Sequence, residues 1–419
     1  MFYKHGFREK HQYTIFFLIC VIVIYLILFI ALNQLQYPPT TDEPHYWKTS
    51  LRFSDSLIPS LDLLRNYGEL NTPLPFIIFG GLEYLFKGGI FSGRFINFII
   101  SFCMTCLIGL PKGKVTKKSF LSVCGLLLFP YYLILSGRLY TDIIAAFFVL
   151  LGFWFYNRSQ HILSSSAFIL AIASRQFMLA FPLAIFVVEL INYSIIKIRI
   201  YRLRKAVNSR QKENNAEVKA IEADYLAKNR IHPIRWLMPL IASLSIIGWL
   251  VLFEGIAPEA GMTARAVPAV QQKLWSIDLS GSWFILSCVG LYFVIPEFIL
   301  FRSKISWSKI ITGKNCFLAA FLLFLCIVFP LTEAHGIFIR ILRFIPNDFV
   351  KNILLYILAL LACLRFSRFN IAFFILFIHC GLMMKAYPWD KYILPLLLIF
   401  WYLKSRKILD NQNILKLKF

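Results

Sequence analysis

Residues 14–32 read TIFFLICVIVIYLILFIAL, an unbroken run without a charged side chain. At 1.5 Å per residue a helix of that length covers about 28 Å, close to the hydrocarbon thickness of a bilayer. Lys4, Arg8 and Lys10 precede it and no small-residue cleavage site follows. It is therefore expected to stay as a first membrane span rather than leave as a signal peptide. The rest of the 419 residues has the same character, 59% hydrophobic and only 16% charged, with 42 Phe. Soluble domains carry roughly a quarter charged residues, and disordered chains are poorer in apolar ones, so both classes are excluded.

Outward from that first run, eleven more apolar stretches are long enough to cross a bilayer, or nearly so: 95–110, 119–135, 143–156, 162–173, 177–196, 236–253, 283–301, 315–331, 352–364, 371–386 and 392–403. The stretch 73–86 is shorter and opens on Pro73 and Pro75, which suits a re-entrant or interfacial segment. The expected fold is thus all-α, a polytopic integral membrane protein of about twelve transmembrane helices over 1–419. The loop 35–92 is exoplasmic and carries interfacial helices; 254–281 and 332–351 are further exoplasmic loops, and 197–235 is the main cytoplasmic one, with a mixed-charge helical run at 210–230.

The net charge of +23 tests this map. With both termini cytoplasmic, the cytoplasmic segments hold 30 of the 44 Lys and Arg but only 6 of the 21 Asp and Glu. Letting 73–86 span would invert every later loop and put the most basic one outside, against the positive-inside rule. The basic excess is therefore an orientation signal, and no nucleic-acid partner is expected. The nine cysteines lie mostly inside apolar runs and are taken as small membrane-core residues; Cys103 and Cys106 form a CxxC with no further metal ligand nearby. No GxGxxG or P-loop occurs, and 197–235 is too short for a nucleotide-sugar domain. Chemistry is expected on the exoplasmic side or at membrane depth.

Four polar clusters fall on that side. Thr40–Trp47 carries the acid pair Asp42 and Glu43. Arg138–Asp142 fills a short turn between spans, and Ser174-Arg175-Gln176 fills another. Lys385–Tyr392 lies before the last span, with Lys391 and Tyr392 at its end. Each has a plainer reading: a solvated loop entry, an ion pair capping a turn, a snorkelling cation, an aromatic belt. Carboxylates and stray cations sharing one face nevertheless point to a site for a phosphorylated, membrane-dissolved substrate.

These residues resemble a family. Asp42-Glu43, Gly93-Arg94-Phe95-Ile96-Asn97, Phe129-Pro130, Leu139-Tyr140-Thr141-Asp142, Ser174-Arg175-Gln176 and Lys391-Tyr392-Ile393-Leu394-Pro395 are similar, in order and approximate spacing, to motifs of the GT-C superfamily of membrane glycosyltransferases. They resemble most the dolichyl-phosphate-glucose-dependent alpha-1,2-glucosyltransferase family of N-glycan precursor assembly. The chain departs from that pattern at Glu69-Leu70-Asn71-Thr72-Pro73-Leu74-Pro75, a loop the resemblance places near the acceptor.

The resemblance implies inverting transfer of glucose from a polyprenyl (dolichyl) phosphate donor to a lipid-linked oligosaccharide as its terminal alpha-1,2 residue. It also implies a multi-pass protein of the endoplasmic reticulum membrane, or of the bacterial inner membrane for a prokaryotic source, working in the lipid bilayer. Asp42 and Glu43 are the expected catalytic carboxylates. Arg138, Arg175, Lys391, Asp142, Gln176 and Tyr392 are the expected substrate-binding residues, with Arg175, Lys391 and Arg138 on the phosphate. Neither cofactor nor metal is expected, since a donor with one phosphate has less charge to neutralise than a pyrophosphate. Two alternatives stand beside this reading: a GT-C transferase for another sugar, of mannosyl or aminoarabinosyl type, and a transporter or flippase.

Overall fold

A chain segment surrounded by hydrocarbon must satisfy its own backbone hydrogen bonds, and a helix does so within one segment. The computed structural model describes residues 5–210, 233–265, 267, 269–272, 276–302, 312–331 and 334–410. Each of the twelve apolar runs carries helix, and among the described residues there is no strand, only an isolated bridge between His335 and Trp389. Five helices are long and apolar enough to cross a membrane: Gln12–Ala31, Ile90–Gly109, Gln176–Arg202, Ile234–Phe253 and Leu279–Phe301. Lys117–Leu127 and Pro130–Ser136 make a sixth if counted as one broken span. The mixed-charge run expected at 210–230 lies, after Arg210, outside the described residues.

The outer helices show which surfaces lipid would cover. In the first helix Phe17, Val21 and Tyr25, four residues apart, face inward, while Phe16, Ile19, Ile27 and Ile30 are exposed. Four-residue spacing places side chains on one helical face, so a uniformly apolar helix still has an inner and an outer side. The inner face is tied down by polar bonds. The Tyr25 hydroxyl lies 3.0 Å from Thr105 Oγ1, which lies 2.7 Å from the Tyr132 hydroxyl, and Tyr132 donates to the Ser101 carbonyl at 2.6 Å.

Run 119–135, read as a single span, breaks in the structure. Thr116 starts the helix Lys117–Leu127 with a capping box, its side chain accepting from Ser119 N–H while Ser119 Oγ accepts from Thr116 N–H. Pro130 has no N–H to continue the ladder, so a new helix starts there at 75° to the first. The bend carries Tyr131 and the turn before Thr141 toward the same end of the bundle as residues 389–391, the Tyr131 hydroxyl lying 3.4 Å from Trp389 Nε1.

The last helix, Leu394–Ser405, is buried at every residue. It packs against Lys117–Leu127 and Thr141–Tyr156, and Gly125 leaves room for the Trp401 ring, whose carbons lie within 2.7 Å of where a Cβ would stand. Its two ends carry different polar groups. Lys391 precedes its start, and Lys404 near its end pairs with Glu297 at 2.7 Å and Asp410 at 2.9 Å, both acids also held by Arg365. Between Lys391 and Lys404 the helix rises about 20 Å, so the two charged groups sit at opposite ends of an apolar core. All nine cysteines are free.

Two helices meet backbone to backbone at Gly290, in a π-helical turn, where an added Cβ would lie 2.0 Å from the Leu358 carbonyl oxygen. Backbone cannot rotate away as a side chain does, so Gly290→Ala is expected to destabilise the protein by about 1–3 kcal/mol through overpacking. Thermal unfolding in detergent checks this, and Gly381→Ala, where a Cβ meets nothing within 4 Å, serves as the control.

Candidate functional site

The first loop is organised by a buried fork. Pro44 stands in the first turn of the helix Glu43–Arg52 and starts it there, with Glu43 as its first residue. Glu43 is fully buried. Its Oε1 accepts from Arg94 Nε at 2.8 Å and from Leu139 N–H at 2.9 Å; its Oε2 accepts from Arg94 Nη2 at 2.9 Å and Thr40 N–H at 3.0 Å. Arg94 Nη1 donates to the carbonyls of Leu35 and Tyr37. Three helical positions on, Asn97 donates to the carbonyls of Arg138 and Tyr140. Glu43 therefore joins the first loop to the helix Ile90–Gly109 and to the turn before Thr141, with both oxygens occupied.

Asp42, its neighbour in sequence, points the other way. Thr41 is held at φ +55°, a conformation a β-branched residue rarely adopts. It lies 2.5 Å from the Tyr140 hydroxyl, which also accepts from Asp42 N–H at 3.4 Å. The Asp42 carboxylate then faces two cations from distant parts of the chain, Arg265 Nη2 at 3.0 Å and Lys391 Nζ at 3.1 Å. Burial alone would raise its pKa, but Lys391 and Arg265 outweigh that and hold it below its ordinary value. Burial pushes the Tyr140 hydroxyl up to about 12, with the Asp42 charge adding to it, so Tyr140 keeps its proton.

Asp42 lies on the wall of a cavity of about 750 Å³. Arg175, Gln176, Lys391 and Tyr392 line it too, so residues from three of the four sequence clusters meet there directly. Arg175 sits in extended conformation between the helix His161–Ser174 and the turn after it, which turns its side chain inward. It is 2% exposed, donates to Thr141 Oγ1 at 2.9 Å and pairs with Asp142 Oδ2 at 3.1 Å. Burial works against its charge, yet Asp142 raises its pKa. Asp142, fully buried at a helix start, stands behind Arg175 and off the cavity wall. Gln176 donates to the carbonyls of Leu70 at 2.7 Å and Ile256 at 3.3 Å.

Lys391 is 2% exposed and lies 3.6 Å from the centre of the Trp389 ring. Burial lowers its pKa while Asp42 and Asp142 raise it. Its neighbour Asp390 turns away and accepts from Phe338 N–H at 2.8 Å. Gly336, at φ +117°, makes that possible, since a Cβ there would meet Asp390 Oδ1 at 1.7 Å.

The structure leaves three expected residues off the cavity, Asp142 behind Arg175 and two more. Glu43 is enclosed by Arg94, and Arg138 is half-buried beside Tyr37 with its carbonyl on Asn97. Two others are on the wall that were not expected as site residues: Arg265, and Glu69 of the stretch that departs from the family pattern. Arg265 Nε lies 3.2 Å from Glu69 Oε2, so one guanidinium holds both Asp42 and Glu69. Burial raises Glu69 to a pKa of about 7, Arg265 opposing and Asp42 adding to the rise. On the expected topology Arg265 falls on the exoplasmic side as Arg175 does, but so do Arg52, Arg65 and Arg340, which dilute that signal. Among the described residues no three His, Cys, Asp or Glu side chains are grouped to hold a metal.

The cavity has an apolar flank as well, formed by Leu179, Ile246, Leu250, Leu382 and Met383. The chain matches no protein-family model, no curated protein and no solved structure, so the site is read from its own residues.

Removing one partner of a buried ion pair strands the other, at about 3–5 kcal/mol. Glu43→Gln and Arg94→Gln are each expected to lower stability by that amount, read as unfolding temperature and monodispersity in detergent. The double variant is expected to lose clearly less than the sum of the two.

Proposed function

We propose that the protein is a membrane glycosyltransferase of GT-C type that moves a glycosyl residue, glucose by the motif resemblance, from a polyprenyl phosphate to a hydroxyl of a lipid-linked oligosaccharide. The observation that carries this reading is Asp42, a carboxylate on the wall of a cavity that also presents buried Arg175 and Lys391 and is flanked by apolar side chains. A phosphate on a lipid needs those three features together: cations for its charge, an apolar flank for its chain and a base for the acceptor.

The step is a single displacement. The acceptor oxygen forms a bond to the anomeric carbon as the bond from that carbon to the phosphate oxygen breaks. The electron pair leaves with the phosphate, and the acceptor proton passes to Asp42. Of the two neighbouring acids, Asp42 is assigned as base because its carboxylate reaches the cavity while that of Glu43 is committed to Arg94. A positioned base contributes roughly 10²- to 10⁴-fold. Arg175 and Lys391, joined by Arg265, are assigned to the leaving phosphate, where preorganised charge in a water-poor site acts most strongly. Asp142 orients Arg175 from behind, while Gln176 and Tyr392 complete the wall.

The proposal includes twelve spans with both termini cytoplasmic, the cavity opening on the lumenal side of the endoplasmic reticulum membrane. A transporter reading calls for uncommitted acids at mid-span. The two acids within apolar runs, Glu189 and Glu297, are instead paired with Arg235 at 2.8 Å and Arg365 at 2.6 Å, which favours the enzyme.

The test is transfer of labelled glucose from a polyprenyl phosphate to a lipid-linked oligosaccharide by the purified protein in detergent. Asp42→Asn is expected to reduce the rate by about 10²–10⁴-fold while the protein remains folded, and Arg175→Gln to weaken donor binding. Transfer unaltered by Asp42→Asn would remove the base assignment, and no transfer from any polyprenyl-phosphate sugar would remove the enzyme reading.

A further inference from the structure

The ion-paired charges around the cavity balance without any ligand, with Lys385 half-buried on the wall beyond them. Arg175, Arg265 and Lys391 face Asp42, Glu69 and Asp142, three cations against three carboxylates. An entering phosphate diester adds one negative charge in a region where Glu69, Arg175 and Lys391 are each no more than 2% exposed. Uncompensated charge is costly there, and a proton on one of the paired carboxylates compensates it where the anion sits.

The three carboxylates are not equally able to take that proton. Asp42 has a cation on each oxygen. Asp142 is paired with Arg175 in the first turn of a helix, where the helix dipole also favours its charge. Glu69 has one partner, Arg265 at 3.2 Å, and its Oε1 is buried with no hydrogen bond; neither Asp142 oxygen has a hydrogen bond either, but Asp142 lies off the cavity wall and Glu69 on it. Leaving a buried ionised oxygen without a hydrogen bond is costly, and of the two acids with such an oxygen Glu69 is the one that borders the cavity, where a proton can reach it. The other groups around Glu69 act in the same sense or too weakly to change the order. The Tyr46 and Tyr67 hydroxyls beside it are themselves pushed up by burial and stay neutral. Arg175 and Lys391 act at longer range. The helix Glu259–Ala264, which packs Gly261 on the Glu69 backbone, has its own acid, Glu259, exposed. His45 and His335 are exposed and Lys385 half-buried on the cavity wall.

We propose that Glu69 takes up one proton from solvent when a phosphate headgroup enters the cavity, and that this frees Arg265 from Glu69 to hold the anion. Glu69 is thus a positioning residue that acts through Arg265 and makes donor binding proton-linked. A Glu69 pKa of about 7 in the free protein places the effect in the physiological range. The inference rests on the phosphate-lipid reading of the cavity and adds a requirement that reading does not contain.

The test is binding of methyl farnesyl phosphate, a diester whose single negative charge does not change near neutral pH, to the full-length protein in detergent. Calorimetry in two buffers of different ionisation heat gives the protons taken up. The expected result is uptake approaching one proton per bound anion at pH about 8, with affinity falling by up to about tenfold per pH unit above 7. In Glu69→Gln the uptake disappears and affinity becomes flat with pH. Wild-type binding that is flat with pH and takes up no proton overturns the inference and leaves the donor reading standing. Absence of binding at every pH overturns both. The wild-type measurement decides alone if the variant does not fold.

Discussion

Arg94 is the side chain on which the arrangement of the site depends. A guanidinium that is fully buried must spend its donors inside the protein, and this one spends them on Glu43 and on the carbonyls of Leu35 and Tyr37. That requirement draws the start of the first loop onto the helix Ile90–Gly109. Glu43 in turn holds Leu139 N–H, while Asn97, one helical turn from Arg94, holds the carbonyls on either side of Leu139. Three segments far apart in the chain become one frame, and Asp42 is oriented as a consequence. The segments Asp42-Glu43, Arg94 to Asn97 and Leu139 to Asp142 are the parts of that frame.

What the frame supports is a set of charges that satisfy one another. Asp42 is held by Arg265 and Lys391, Arg265 also by Glu69, and Arg175 by Asp142. In an apolar body such pairing is a condition for burying the groups at all. It also leaves the cations already in place for an anion, so little reorganisation is needed when one arrives. Asp390 shows how far the structure goes to keep the pairing specific. Although adjacent to Lys391, it is turned onto the Phe338 N–H in a space that exists because residue 336 is glycine.

Much of this was legible in the sequence, for identifiable reasons. A charge-free run such as 14–32 has few alternatives to a helix in lipid, and helix was expected and found at each of the twelve runs. Cations on the wrong side of a charge map cost free energy that something must offset, which is why Arg175 and Lys391 stood out. Other features gave no local signal. Pro130 is a visible helix breaker, but its 75° bend comes from the two packed halves. Glu43 and Asp42 are equivalent as neighbours in a string and are separated only by what lies on either side of them. Glu69 and Arg265 are in different loops, and neither is unusual until the other is beside it.

The sequence by itself determined the apolar character of this protein, its helical class and the few polar groups that had to be accounted for, because hydrophobic period and charge placement are summed over many residues and tolerate local exceptions. The tertiary structure alone decided which of the two neighbouring carboxylates, Asp42 or Glu43, faces the cavity, and that Arg265 and Glu69 meet on its wall. Those outcomes depend on distances of about 3 Å between residues up to 349 positions apart, and pairings at that separation follow from how the helices pack, which no local pattern encodes.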